Sequence, residues 1–427
     1  MGEQLALKGG PKAIKEDRPE VFRWPGYGDE EFQAVKDAME SGDPYSVIKQ
    51  FEAEFASYLD VKYTVAQNNG TSTLHSSYFA VGVSPGDEVI TPSHSWLLQI
   101  VPIVASHGIP VFADVDPKTL TLDPDDVQRK ITPRTRAIVV VHTYGHPAEM
   151  DPIMEVAGQN GIPVIEDCSH AHGAEHKGRK IGTIGDIGCF SLQHSKLLPA
   201  TEGGILVTNN EQYHERVVLL GHYERLPSLE NEWLKGLSRG IRGVVGLSGA
   251  CFGYKYRMHP LAAAIARVRL RHLNETNYVR RRNMDYLSKG LSDLKSMEPP
   301  YSSPNVKMAW LIYLLRYYPE RLGNISRTLL VKALQAEGVR VIEGGGYQPF
   351  HLTELMQIAD FYGRGCPLQC SHVKSLPKYE PGTLPVTESI SERLMSLAIF
   401  ANSTTERFMD QYIEAFHKVE ANADQLQ

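Results

Sequence analysis

RAIVVVHTY, residues 136–144, sets five apolar residues side by side between an arginine and a histidine. A strand with one face in water alternates apolar and polar residues. A continuous run such as AIVVV is instead covered on both faces, as a parallel strand is between two layers of helices. The segments around it read the same way. DEVITP (87–92) and PVFADV (110–115) come before it, PVIEDC (163–168) and GCFSL (188–192) after it. Helix-length patterns separate several of them, among them SWLLQIVPIVASHG (95–108) and MDPIMEVAGQNG (150–161). Further upstream, Phe51, Phe55 and Leu59 mark the buried face of a helix that leads into a strand at YTVA (63–66). This alternation predicts an α/β fold with parallel crossovers.

The texture changes after residue 270. RHLNETNYVRRRNMDYLSKGLSDL (271–294) is a long, charged helical stretch, followed by a strand-like WLIYLLRYY (310–318) and a helix, LLVKALQAEG (329–338), that leads into VRVIEGGG. Residues 1–270 are expected to hold an N-terminal segment and a large domain, and residues 271–427 a smaller α+β domain. No run approaches the roughly 18 apolar residues of a membrane helix. The N-terminal MGEQLALKGG lacks the pattern of a secretory signal, so a cytoplasmic protein is expected. A formal charge of −6 spread along the chain leaves no electrostatic footprint for nucleic acid, so the expected partners are small molecules. Five cysteines, an odd and sparse count, point to reduced thiols. Cys366, Cys370 and His372 invite a zinc reading, but no second ligand pair stands at metal spacing, and no metal is expected.

In open α/β sheets, ligands bind outside the carboxyl ends of the strands, and four turns there carry chemistry. In QNNGTSTLHSSYFAVG (67–82) a strand ends at Ala66 and a helix is expected to begin near Ser72. Gly70 allows close approach of the backbone, and Thr71 and Ser72 bring N–H groups and hydroxyls to the positive end of that helix, a cup for a phosphate. TPSHSWLLQ (91–99) places Trp96 at a helix start, where an indole can cover a flat ring. VIEDCSHAHGAEH (164–176) ends an apolar strand on Asp167, a carboxylate that needs a cation such as a protonated pyridine nitrogen, with His170 three residues on. His170, His172 and His176 also raise a metal reading, without HExxH-type spacing to support it. Last, SLQHSKLLPATEGG (191–204) places Ser191 as a phosphate donor and Lys196 as an amine at the exit of a strand. A phosphate cup, a stacking aromatic, a buried carboxylate and a lysine able to form an imine are the parts of a pyridoxal phosphate site.

With these motifs in hand, the chain resembles the DegT/DnrJ/EryC1/StrS aminotransferases. The likeness runs from about Phe51 through GTSTL, TPSHSW, EDCSHAHGA, FSLQHSKLLPATEGG and YKYRM to LPVTESIS near residue 390. The resemblance implies fold-type I architecture: a large domain with a mostly parallel seven-stranded sheet between helices, plus a smaller C-terminal domain. It implies pyridoxal 5'-phosphate as cofactor, Lys196 as the lysine that carries it, Asp167 as the partner of its ring nitrogen, Trp96 as the stacking residue, and His170 beside its 3-oxygen. Gly70, Thr71, Ser72 and Ser191 would hold its phosphate. The implied reaction moves an amino group from L-glutamate or L-glutamine to a keto-sugar or keto-cyclitol, in amino-sugar or aminocyclitol biosynthesis, by a homodimer with active sites at the subunit interface.

Two departures stand out. Where the family often reads Gly-x-Asn-Tyr-Arg, this chain has Gly253, Tyr254, Lys255, Tyr256 and Arg257, and Lys255 becomes the candidate phosphate ligand donated by the second subunit. Thr201 replaces the glycine that usually precedes Glu-Gly-Gly and is expected to restrict the loop. Sugar dehydratases of the same family put histidine at the lysine position, so Lys196 argues against that activity. A non-catalytic cofactor-binding protein is the other alternative, and the full set of site residues argues against it. A plain nucleotide-binding fold lacks support, since neither G-x-G-x-x-G after a strand nor G-x-x-x-x-G-K-[ST] occurs.

Overall fold

In the computed structural model the described residues are 3–24, 26–222, 224–225, 254–358, 360–366, 368–369, 371, 373, 377 and 379–427. The AIVVV run lies in strand β4 (Thr135–Val141), near the middle of a seven-stranded sheet. Its neighbours in chain order are β1 (Tyr63–Gln67), β2 (Glu88–Pro92), β3 (Ile109–Ala113), β5 (Val164–Asp167), β8 (Ile187–Ser191) and β9 (Gly204–Thr208). Two short strands, β6 (Glu175–His176) and β7 (Arg179–Lys180), pair outside this sheet with β11 (Val306–Lys307). The large sheet runs β1-β9-β8-β5-β4-β2-β3, and only β9 is antiparallel to its neighbours.

The reason for AIVVV is visible in how β4 packs. Ala137 and Val139 join a core with Tyr78, Ile103 and Val217, which come from helices on one face. Ile138 and Val140 join another with Met150, Ile153 and Ala157 on the opposite face. Neither face has room for a polar residue.

Strand β9 was not anticipated. It inserts between β1 and β8, so that Glu-Gly-Gly is the turn into a strand that backs the phosphate cup. A Cβ on Gly204 would lie 2.4 Å from the Asn69 carbonyl oxygen, which is why glycine stands there.

The C-terminal part contains a four-stranded antiparallel sheet, β10 (Met297–Glu298), β12 (Tyr313–Tyr317), β14 (Leu394–Leu397) and β13 (Val341–Glu343), in that order. The charged stretch after residue 270 is the rear of one 31-residue helix, Pro260–Gly290. Ala262, Ala263, Ala266 and Leu273 of this helix pack in the large-domain core. Met284 and Leu287 pack in the second core, which Leu5, Ile14 and Val21 also enter. The division expected at 270/271 therefore falls inside a helix, and the first residues of the chain pack with its last. Among the described residues, no helix is long and apolar enough to cross a membrane.

Candidate active site

The carboxyl ends of β1, β2, β5 and β8 open on one cleft of about 850 Å³. Gly70, Thr71, Trp96, Asp167, His170, Ser191 and Lys196 all line it. The helix begins at Gly70, two residues earlier than expected, with Asn69 as its cap. Ser72 is not in the lining: its N–H donates to Asn69 Oδ1 at 2.8 Å and its hydroxyl donates to the Asn69 carbonyl at 2.7 Å. These bonds close the cap, as a serine at the third helical position turns back onto the cap residue. A helix leaves its first N–H groups without internal partners, and those of Gly70 and Thr71 remain for an anion. A Cβ at Gly70 would lie 2.6 Å from Ser191 Cβ, so the glycine lets the cup and the serine share one small space.

Asp167 closes β5, and one oxygen accepts the Ser169 N–H at 3.0 Å. Lys196 faces the same cleft. Burial holds its amine below the ordinary lysine value, with Asp167 pulling the other way. Trp96 is the cap residue of the helix Leu97–Ala105 and keeps 51% of its surface exposed, tilted 49° to Tyr347 with ring centroids 6.1 Å apart. Lys255 is exposed and does not line the cleft of its own chain, while Gly253 lies outside the described residues.

His170 is held neutral by burial first and by the nearby Lys196 second. Its Nδ1 accepts the Tyr144 N–H at 3.4 Å, which leaves the proton on Nε2 to donate to the Tyr347 hydroxyl at 3.0 Å. Tyr347 in turn donates its backbone N–H to the Tyr144 hydroxyl at 2.9 Å, and that hydroxyl meets His94 Nε2 at 3.0 Å. Tyr144 holds φ at +59°, a left-handed conformation that a tyrosine adopts at a cost. Sequence reasoning did not single out Tyr144, and it reached Tyr347 only as part of GGGYQPFHL (344–352), a segment that the family resemblance places on the substrate side. The tyrosine ending RAIVVVHTY and the one after three glycines in GGGYQPF were the available signals.

Several apparent sites are structural. His170, His172 and His176 do not converge: His176 Nε2 meets Glu149 at 3.2 Å, and both nitrogens of His172 are buried without a hydrogen-bond partner. Among the described residues, the group of potential ligands within reach of one another is His142, Glu166 and Cys168. That group is already satisfied. Glu166 accepts N–H groups from Gly182, Ile184 and Gly185 at 2.6–2.7 Å and meets His142 Nε2 at 3.0 Å. Burial pushes its carboxyl up, but these donors outweigh it and hold the group below the ordinary value. Ser93, His351 and Glu388 form a hydrogen-bonded chain at 2.8 and 3.1 Å that resembles a hydrolytic triad. Ser93 is 0% exposed, so the chain bolts the loop carrying Tyr347 to the exit of β2 instead of attacking a substrate. Cys370 and His372 lie outside the described residues.

A mostly parallel sheet whose strand ends gather a phosphate cup, a carboxylate and a desolvated lysine defines a fold-type I aminotransferase, an architecture that implies pyridoxal phosphate. The chain belongs to the DegT/DnrJ/EryC1/StrS aminotransferase family, whose profile matches residues 25–415. It is 33% identical, over 409 residues that make up 93% of each chain, to the L-glutamine:2-deoxy-scyllo-inosose aminotransferase of Streptoalloteichus tenebrarius. It is 34% identical over 348 residues, 79% of this chain and 80% of the other, to the L-glutamine:scyllo-inosose aminotransferase of Streptomyces griseus. Among solved structures, the aminotransferase from Psychrobacter cryohalolentis is similar with a TM-score of 0.79 and 26% identity, covering 94% of this chain and 99% of that one. S. venezuelae DesV, solved with a ketimine intermediate, gives 0.74 and 28%, covering 92% and 94%.

Proposed function

We propose that this aminotransferase moves the amino group of L-glutamine to the keto carbon of a cyclitol that carries no nucleotide. The observation that carries this is the charge of the cleft. Among its described lining residues Lys196 is the sole lysine or arginine, and the acceptor side is built from Trp24, Trp96, Tyr347, Gln193 and serines. A nucleoside diphosphate brings at least two negative charges that this lining does not balance, whereas a polyol ring needs neutral hydrogen-bonding groups and apolar faces. The names of the similar enzymes, both L-glutamine:inosose aminotransferases, point the same way.

The residues present fit pyridoxal phosphate: the Gly70 cup has room only for a residue without a Cβ, and Asp167 reaches the floor of the cleft with one N–H as its hydrogen-bond partner. Gly70, Thr71 and Ser191 would receive the phosphate, Asp167 the ring nitrogen, Trp96 and His170 the ring and its 3-oxygen, and Lys196 the covalent bond. When bound, the group supplies an electron sink for the pair left by a broken C–H bond. The chain supplies the proton chemistry. Its burial leaves Lys196 Nζ readily deprotonated, so that once freed it takes the Cα proton of the amino donor. His170, neutral and with its tautomer set by Tyr144, adds no charge beside the ring, and its one N–H is directed at the Tyr347 hydroxyl. Exposed Lys255 would serve the cleft of a second subunit in a homodimer.

The test is an absorbance titration of the purified enzyme. L-Glutamine should bleach the visible band of the bound cofactor more readily than L-glutamate, and scyllo-inosose or its 2-deoxy analogue should restore it with formation of the amine by mass spectrometry. Preferential amination of a nucleotide-linked keto-sugar would overturn the reading.

A further inference from the structure

The loop that carries Lys196 is gripped by two side chains from a distant part of the sequence. Trp24 Nε1 donates to the Lys196 carbonyl oxygen at 3.2 Å, and the Thr201 N–H donates to the Tyr27 hydroxyl at 2.7 Å. The loop's remaining polar bonds are local, among them Lys196 N–H to the Gln193 carbonyl at 2.8 Å, Ala200 N–H to the Leu192 carbonyl at 2.7 Å, and the Ser195 N–H and hydroxyl to Gln193 Oε1 at 2.8 and 2.6 Å. Among the described residues, Trp24 and Tyr27 are what reaches the segment between Gln193 and Glu202 through hydrogen bonds from elsewhere in the chain. We propose that Trp24 and Tyr27 are positioning residues for Lys196, fixing where its amine can reach, and that the N-terminal arm is thereby part of the active site.

The arm is itself anchored. The Arg280 guanidinium lies 4.4 Å from the centre of the Trp24 ring, and Arg269 lies 5.4 Å from that of Tyr27, both from the long helix Pro260–Gly290. Arg280 is 1% exposed and has no carboxylate partner among the described residues, so the indole face and the Asn277 Oδ1 at 3.4 Å are what offset its buried charge. Removing Trp24 therefore disturbs a buried cation as well as the lysine loop. Tyr27 acts at the strained end. Thr201 holds φ at +63°, and a β-branched residue stays in that region only where its surroundings hold it. The N–H bonded to Tyr27 belongs to that residue. A lysine that must serve two atoms in turn tolerates little drift, since displacements of about 1 Å cost on the order of a hundredfold in rate.

The experiment uses Tyr27→Phe, which keeps its ring and removes one bond, and Trp24→Phe, which removes one bond and also leaves a smaller aromatic face against Arg280. In the cofactor-free chain, amide exchange across residues 193–202 should quicken by roughly fivefold in each variant, the factor expected for one hydrogen bond. In the loaded enzyme, the pH midpoint of the visible band should shift and the donor half-reaction should slow with little change in donor affinity. Thr201→Gly should shrink the Tyr27→Phe defect, because it removes the strain that Tyr27 restrains. Should Trp24→Phe fail to fold, Tyr27→Phe alone decides. Wild-type exchange across the loop, or faster exchange with an unshifted midpoint and an unchanged half-reaction, overturns the proposal. It rests on Lys196 as the cofactor lysine, a reading that fails separately if Lys196→Ala still forms the visible band.

Discussion

Gly70→Ala tests the cup at its tightest point, and the sign of the effect is informative. Gly70 is the first residue of its helix and does not hold a positive φ, so the backbone there accepts alanine. Helix propensity would reward the change by at most about 0.5–1 kcal/mol, the value for a helix interior. Against this, the new methyl would sit 2.6 Å from Ser191 Cβ and 3.1 Å from Ser191 Cα, against the roughly 3.5–4.0 Å optimum for carbon pairs. Retreat is blocked on the other side, because Gly204 already touches the Asn69 backbone so closely that it has no space for a Cβ. Overpacking of this kind costs about 1–3 kcal/mol, which leaves a net loss of up to about 2.5 kcal/mol. The Gly70 and Thr71 N–H groups move with the helix start, so cofactor affinity should fall by at least tenfold. Urea unfolding of the cofactor-free chain reads the first effect, and absorbance titration with pyridoxal phosphate the second. Adding Ser191→Gly should recover part of the stability but none of the affinity, since it relieves the clash and removes the hydroxyl. Wild-type stability together with wild-type affinity in Gly70→Ala would refute the account of the cup.

Thr201→Gly should raise stability by about 0.5–1 kcal/mol, relief of the left-handed threonine outweighing the added chain entropy, as measured by urea unfolding. Glu166→Gln sets an NH2 group against backbone donors and should cost about 3 kcal/mol; an unchanged urea midpoint would contradict the network drawn around it. His94 and His146 are both depressed to about 4 by burial. Below about 6.5 the unfolded chain takes up protons that the folded chain refuses, so stability is lost as pH falls from about 6.5 to about 4, at about 1.4 kcal/mol per pH unit for each histidine. Denaturation at stepped pH should show at least that slope, since burial depresses His170, His172 and His214 as well, and His94→Asn should reduce it by one histidine's share.

The strands and most helices of the large domain were legible because a buried strand and an amphipathic helix each leave a local period. AIVVV needs no partner to announce two covered faces. The residues lining the cleft were legible as motifs because each strand-end turn carries its chemistry within a few residues: Gly70 and Thr71, Trp96, Asp167 and His170, Ser191 and Lys196. Ser72 shows the limit. The same hydroxyl suits an anion or a helix cap, and in the structure it donates to the Asn69 carbonyl at 2.7 Å.

What only the tertiary structure decided is everything that joins residues far apart in the chain. Strand β9 lies between two strands that precede it, a pairing with no local signature. Tyr347 reaches His170 across 177 residues, and Trp24 reaches Lys196 across 172. The division between domains was placed by a change in composition, yet one helix serves both cores because its apolar face is continuous while its partners change. Local sequence determined which groups stand at each strand end, since backbone period and turn chemistry act over a few residues. Their tautomers, anchors and mutual distances were set by packing, which acts over the whole chain.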